Sequence, residues 1–246
     1  MKLKRVLVSL VAFAMTVSLV PAMAFATEVE NDDETAIIEV ADAKAENPAK
    51  LGTPSAQKDC GKNLCWTISG GTLIISGSGA MYNYSYKAGK RAPWYESRSS
   101  ITAIKFTGKP TSIGSYAFYC LKGIGAVSIP SSVTSIGTGA FSYSSVSKIS
   151  GGSKVKTIGA RAFKKTTKLT SFSISSKYLY KIGSYAFQSS AVKTISISKT
   201  TKLKKSKVRK SLKKSSVKKV NVKNSKKVIY RYYFSKYNAG RKVKVY

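Results

Sequence analysis

The 246-residue chain carries 43 Lys and Arg against 10 Asp and Glu, a formal charge of +33, and its 43% hydrophobic content can bury a core, which excludes a generally disordered polymer. It has no histidine, so Ser-His and Cys-His catalysis and His-metal sites cannot be built. Eight of the ten acids, Glu28, Glu30, Asp32, Asp33, Glu34, Glu39, Asp42 and Glu46, crowd into one stretch; from Cys60 onward only Glu96 is acidic.

Residues 1–26 read as a secretory signal peptide: MKLKR supplies charge, VLVSLVAFAMTVSLV a 15-residue apolar run, and PAMAFA the small residues of a cleavage site after Ala26. The run falls short of the ~20 residues that span a bilayer. A mature chain secreted from a bacterium or held on its surface is therefore expected, with no transmembrane segment after cleavage. Residues 27–58 are acidic, then rich in Pro, Ala and Lys without periodicity, and read as a flexible linker.

Residues 59–100 read as an N-terminal β cap. Trp66 and Ile68 alternate with polar residues, Ser69-Gly70-Gly71 supplies a turn, and Leu73 and Ile75 resume the alternation, which predicts a hairpin. Trp66, Trp94 and Tyr95 are expected in the core of that cap rather than as ligand stackers. An exported chain can form disulfides, and Cys60 with Cys65 is one of three possible single pairings, a reduced trio being the other state. Cys120 reads as a small buried hydrophobe.

Residues 101–216 repeat. IGSYAF at 113–118 recurs as IGTGAF at 136–141, IGARAF at 158–163 and IGSYAF at 182–187, with steps of 23, 22 and 24. A fixed period of this length marks stacked units. Each copy is preceded by apolar residues at positions x, x+3 and x+5, as in Ile124, Val127 and Ile129, or Leu169, Phe172 and Ile174. The pair at x+3 and x+5 predicts a strand with one buried face. The signature residues Ile113, Gly114, Ala117, Phe118, Ile136, Gly137, Ala140, Phe141, Ile158, Gly159, Ala162, Phe163, Ile182, Gly183, Ala186 and Phe187 form the inward wall of a coil. In this reading Gly permits a backbone turn, Ala keeps the coil thin and Phe fills the space between neighbouring coils. The fold class is a β-rich repeat solenoid with a parallel strand ladder.

Beyond the fourth copy the signature decays to LKKSKV, where Leu203 and Val208 are read as keeping the Ile and Phe places. Residues 217–246 are expected to form the final coils and a basic, aromatic C-terminal cap, with Ile229 and Phe234 again five apart. Lysines at an array end discourage edge pairing.

The L-x-x-F-x-I of LTSFSI, the stretch VSIPSSVTSIGTGAF, and the upstream CGKNLCWTISGGTLIISGSGAM with APWYESRSSITAIKF resemble the BspA-like leucine-rich-repeat surface proteins of bacteria over about residues 60–246. The resemblance implies a leucine-rich-repeat-like coil and, for some members, adhesion to host or other bacterial cells. It says little about ligand.

Asp59 and Glu96 are too few for a glycosidase pair or a calcium cage, and Cys60, Cys65 and Cys120 are unsuitably spaced for zinc. No enzyme, metal or cofactor is expected. Function must then lie on surfaces. Outward strand positions place Lys105, Ser128, Ser150, Ser173, Ser196, Asn221 and Lys244 in one column, a hydroxyl-lined strip that runs into a basic end with Lys219, Lys223 and Lys242. The expected partner is a host or bacterial surface protein or glycan. The lysine-rich stretch from Lys199 suggests instead an anionic wall polymer, bound through point charges with little selectivity; no specific nucleic acid is predicted.

Overall fold

In the computed structural model the described residues are 58–197, 202–222, 227–234 and 243–246. The residues read as a signal peptide, and almost all of those read as an acidic linker, lie outside them. Each repeat makes one coil with two short strands, and like strands of successive coils pair in parallel, giving a β-solenoid with two ladders. The first ladder runs through β6 (Ala126–Ile129), β8 (Lys148–Gly151), β10 (Ser171–Ser173), β12 (Thr194–Ser196), β13 (Lys219–Asn221) and β14 (Lys244–Val245). Its register places Val127 opposite Ile149, Ile149 opposite Phe172, Phe172 opposite Ile195 and Ile195 opposite Val220. That is the x+3 column of the sequence, buried throughout.

The second ladder was not read from the sequence. It joins β5 (Lys109–Ile113), β7 (Ser135–Ile136), β9 (Thr157–Ile158) and β11 (Lys181–Ile182), so the Ile of each signature is itself a strand residue. A third row of bonds closes the coil: the amides of Phe118, Phe141 and Phe163 donate to the carbonyls of Ala140, Ala162 and Ala186, each at 2.8 Å. With the four signature coils bonded to one another on three sides, their buried backbone groups find partners without help from water.

The phenylalanines form the spine expected of them. Phe118, Phe141, Phe163 and Phe187 are wholly buried, with successive ring centroids 5.1, 5.4 and 5.4 Å apart. Phe172 wedges edge-on between Phe163 and Phe187. Trp94 continues the stack onto Phe118 at 6.1 Å, and its indole N–H donates to the Ala117 carbonyl at 2.7 Å. Trp66 meets Trp94 edge-on at 5.6 Å, so both tryptophans are core residues.

Glycine serves a different purpose from the one expected. Gly114, Gly137, Gly159 and Gly183 do not adopt positive φ; they sit directly on one another. A β-carbon on Gly137 would lie 2.7 Å from the Gly114 carbonyl carbon, one on Gly159 2.5 Å from that of Gly137, and one on Gly183 2.6 Å from that of Gly159. Closeness of neighbouring coils, not a turn, demands the missing side chain. The left-handed position comes two residues later, at Tyr116 (φ 52), Gly139 (φ 59), Arg161 (φ 52) and Tyr185 (φ 57).

Upstream, β1 (Asp59–Gly61), β2 (Leu64–Ser69) and β3 (Thr72–Ala80) pair antiparallel in sequence, β2 and β3 across the expected Ser69–Thr72 hairpin. β3 then pairs in parallel with β4 (Ala103–Phe106) through its first half and with β5 through its second, which joins this segment to the coils.

Three readings need correction beyond the fourth copy. The amide of Lys204 donates to Tyr180, as Tyr180 does to Lys156 and Lys156 to Thr134. Leu203 therefore takes the place of Leu179, Val155 and Val133, not that of the signature Ile. Leu212, not Val208, holds the Phe place: Ser215 Oγ donates to the Leu212 carbonyl at 2.7 Å, as Ser144 does to Phe141 and Thr166 to Phe163. Ser211 then stands where earlier coils have Ala. Second, Ile229 lies on a short helix, α1 (Lys227–Tyr233), and faces solvent, while Tyr230 and Phe234, four apart, are buried. Third, the last strand is shifted by two residues from the expected register, with Val220 opposite Val245 and Lys219 opposite Lys244.

Cys60, Cys65 and Cys120 are thiols. Cys60 is buried, whereas Cys120 is half-buried at a left-handed turn position (φ 62), so it is not the core hydrophobe expected.

Candidate functional site

Three surfaces follow from this architecture. On the first ladder, the outward column places Ser128 beside Ser150 and Ser173 beside Ser196, with Asn221 next in register. Ser128 is exposed and Ser150, Ser173, Ser196 and Asn221 are half-buried; Asn221 Nδ2 donates to Ser196 Oγ at 3.4 Å. Lys105 does not share this ladder, because β4 pairs with β3. Lys244 lies beside Lys219, one column over from Asn221. Lys223 and Lys242 lie outside the described residues.

The second surface is the basic segment of the fifth coil. Lys202, Lys204, Lys205, Lys207, Arg209, Lys210, Lys214, Lys218 and Lys219 are all exposed, and their side chains surround the buried Leu203, Val208, Leu212, Val217 and Val220. Among the described residues the one ion pair lies elsewhere, Arg98 with Glu96 at 3.6 Å. This charge is therefore unneutralised from within the described residues, and it sits on a folded coil rather than on an unstructured tail.

Sequence reasoning missed the third surface, and Tyr95, expected in the core of the cap, is half-buried on it. Half-buried tyrosines in and just after the first two signatures meet one another and Tyr95 upstream: Tyr95 stacks on Tyr119 at 6.1 Å and 12°, Tyr116 meets Tyr119 at 5.9 Å, and Tyr119 meets Tyr143 at 5.7 Å. Cations sit against these rings. The guanidiniums of Arg91 and Arg98 lie 4.3 and 4.2 Å from the Tyr95 centroid, Lys165 5.2 Å from Tyr143, and Arg161 5.7 Å from Tyr185. Burial pushes the Tyr119 and Tyr116 hydroxyls up, with the Arg161 charge opposing the shift at Tyr116, so both stay protonated donors. The variable letters of the signature hold only Tyr116 and Tyr185, whereas Tyr95, Tyr119 and Tyr143 lie outside it.

No group of three or more metal-ligating side chains occurs among the described residues. Nor is any described helix long and apolar enough to cross a membrane.

No curated protein matches this chain. A leucine-rich repeat protein from Eubacterium ventriosum, known from its crystal structure, superposes with a TM-score of 0.57 at 29% identity, over 70% of this chain and 45% of that one. The chain thus spans less than half of that protein's length. Residues 93–211 match the family described as BspA type leucine rich repeat region, in six copies. With two parallel ladders, a phenylalanine spine and that match, the repeat array of this chain belongs to the BspA type of leucine-rich repeat.

Proposed function

We propose that this is a secreted or cell-surface bacterial protein that mediates adhesion-type contacts with a protein or glycan and performs no catalysis. Leucine-rich-repeat arrays of this type are binding scaffolds, and the apolar, Ala-x-Ala-bounded N-terminus supports export. The observation that carries the reading is the in-register outward column Ser128, Ser150, Ser173 and Ser196, which offers hydroxyls at one strand spacing per coil, about 4.8 Å. The test is fractionation of the producing cell together with binding of the mature chain to whole bacterial and host cells. Ser128→Trp/Ser150→Trp should weaken binding at least tenfold with unchanged thermal stability. Equal binding by wild type and this variant, or retention of the precursor in the cytosol, would defeat the reading.

A second reading is favoured by the exposed cations of the fifth coil: they hold the chain to an anionic envelope polymer while the repeats only support them. Deleting this coil would uncover Phe187 and Ile195, so the suitable test is neutralisation. Lys202→Gln/Lys204→Gln/Lys205→Gln/Lys207→Gln should release the protein from the envelope at physiological salt if the anchor reading holds. Unchanged retention would remove it.

A further inference from the structure

The tyrosine turn is a different face from the serine column; Lys210 and Lys214 of the fifth coil continue it, whereas Lys205 sits against Tyr232 of α1. We infer that the strip formed by Arg91, Arg98, Tyr95, Tyr119, Tyr143 and Lys165 is a binding site for an acidic polysaccharide, one bearing carboxylate or sulfate groups among its hydroxyls.

Charge decides the sign of the ligand. Arg91 and Arg98 crowd one ring, Glu96 is the one carboxylate paired with them among the described residues, and Lys164 and Lys165 continue the positive charge along Tyr143. Their donors are partly committed: Arg91 Nε donates to the Tyr86 carbonyl at 3.0 Å, and Arg98 Nη1 donates to the Tyr95 carbonyl at 3.1 Å. These bonds hold the guanidiniums in place while leaving other N–H groups of each fork for an anion.

Ring geometry decides between polymers. A single-stranded nucleic acid needs open aromatic faces on which its bases stack. Here the faces are taken, since Tyr95 lies against Tyr119 and also meets two guanidiniums, and Tyr119 meets Tyr116 and Tyr143. What remains is an edge of phenol groups between cations, a pattern suited to alternating hydroxyl and acid groups. Extent argues for a polymer over a small anion: cations lie against Tyr95 and, farther along the array, against Tyr143, so a chain of acid groups can meet both sets at once.

The test measures retention of the full chain on immobilised polygalacturonate and dextran sulfate, with neutral dextran as the uncharged arm and polyglutamate and oligo(dT) as competitors. Arg91→Gln/Arg98→Gln and Tyr119→Leu/Tyr143→Leu should each weaken binding to the acidic polysaccharides at least tenfold. Lys205→Gln/Lys207→Gln, which removes equal charge on the fifth coil, should cost less than threefold. Binding to only one of the two acidic polymers fixes the acid group and leaves the assignment standing. Equal loss in the Lys205/Lys207 control would show diffuse charge and overturn it, as would binding to neutral dextran or stronger competition by polyglutamate or oligo(dT). Should the glutamine variant melt early, Arg91→Lys/Arg98→Lys keeps the charge and removes the planar fork; severalfold weakening is expected, and wild-type binding would overturn the role of the guanidiniums.

Discussion

Phe141 and Phe163 stack face to face, centroids 5.4 Å apart and planes 8° from parallel, and neither ring meets water. Each belongs to a different coil, so the contact measures how firmly one coil holds the next. Phe163→Ala removes the ring that touches Phe141, Phe172 and Phe187 at once, and should cost about 3–5 kcal/mol. Urea denaturation of the full chain checks this; a loss below about 1 kcal/mol would mean that the spine is not what joins the coils.

Gly137→Ala should destabilise by several kcal/mol, on the order of a core truncation, because its methyl group would collide with the backbone of Gly114 and Ser115. Gly125→Ala is the matched control, since a β-carbon there meets only Ser147 Oγ, at 4.0 Å. The pair of melting temperatures separates close approach from chain entropy. If both substitutions behave alike, stacked glycines are not required.

Ser211 occupies the Ala place of the fifth coil, and its hydroxyl is buried with no hydrogen-bond partner. Replacing a buried, unsatisfied hydroxyl by the residue used in the other coils should be favourable. Ser211→Ala is expected to raise stability by about 1–2 kcal/mol. A lower denaturation midpoint would show that the hydroxyl has a partner in solution.

Burial pushes the Cys60 thiol up to about 12 from 9.0, with the charges of Cys65 and Asp59 adding to the shift. The folded chain keeps a proton that the unfolded chain releases, so this group's contribution is complete below pH 9 and lost as pH rises toward 12. The slope it adds is at most about 1.4 kcal/mol per pH unit. Tyr84 and Tyr119, raised first by burial, act in the same direction at higher pH. Cys60→Ala should flatten the loss of stability between pH 9 and 11, and an unchanged slope would count against a buried thiol.

Most of the coil was legible because its core is written in residues that can do little else. Phe118, Phe141, Phe163 and Phe187 recur with Ile and Ala at constant offsets, and the x+3 column alternates as a half-buried strand must. Two kinds of information were harder to see. The second ladder uses strands of two residues, as at Ser135–Ile136, too short to show any alternation. In the fifth coil Leu212 replaces Phe and Ser211 replaces Ala, and the added residues break the count, so only hydrogen bonds such as Lys204 to Tyr180 restore the alignment. The serine column could be read from strand parity alone, whereas Tyr95 and Tyr119 belong to different coils 24 residues apart, and their stacking depends on how turns, not strands, superpose.

The glycine column has a further implication for how such a chain can change length. Gly114, Gly137, Gly159 and Gly183 pass the same backbone outline from one layer to the next, so each layer is an interchangeable part. Excising Gly137 through Ile158 in frame would seat Gly159 on Gly114 and Phe163 on Phe118, shortening the array without leaving a seam. A cut of half that length would set polar turns over phenylalanines. Removal of a whole layer thereby keeps the spine in step, changes as small as those among the steps of 23, 22 and 24 being taken up within a coil, and the array can gain or lose reach while the chemistry of every surviving layer is preserved.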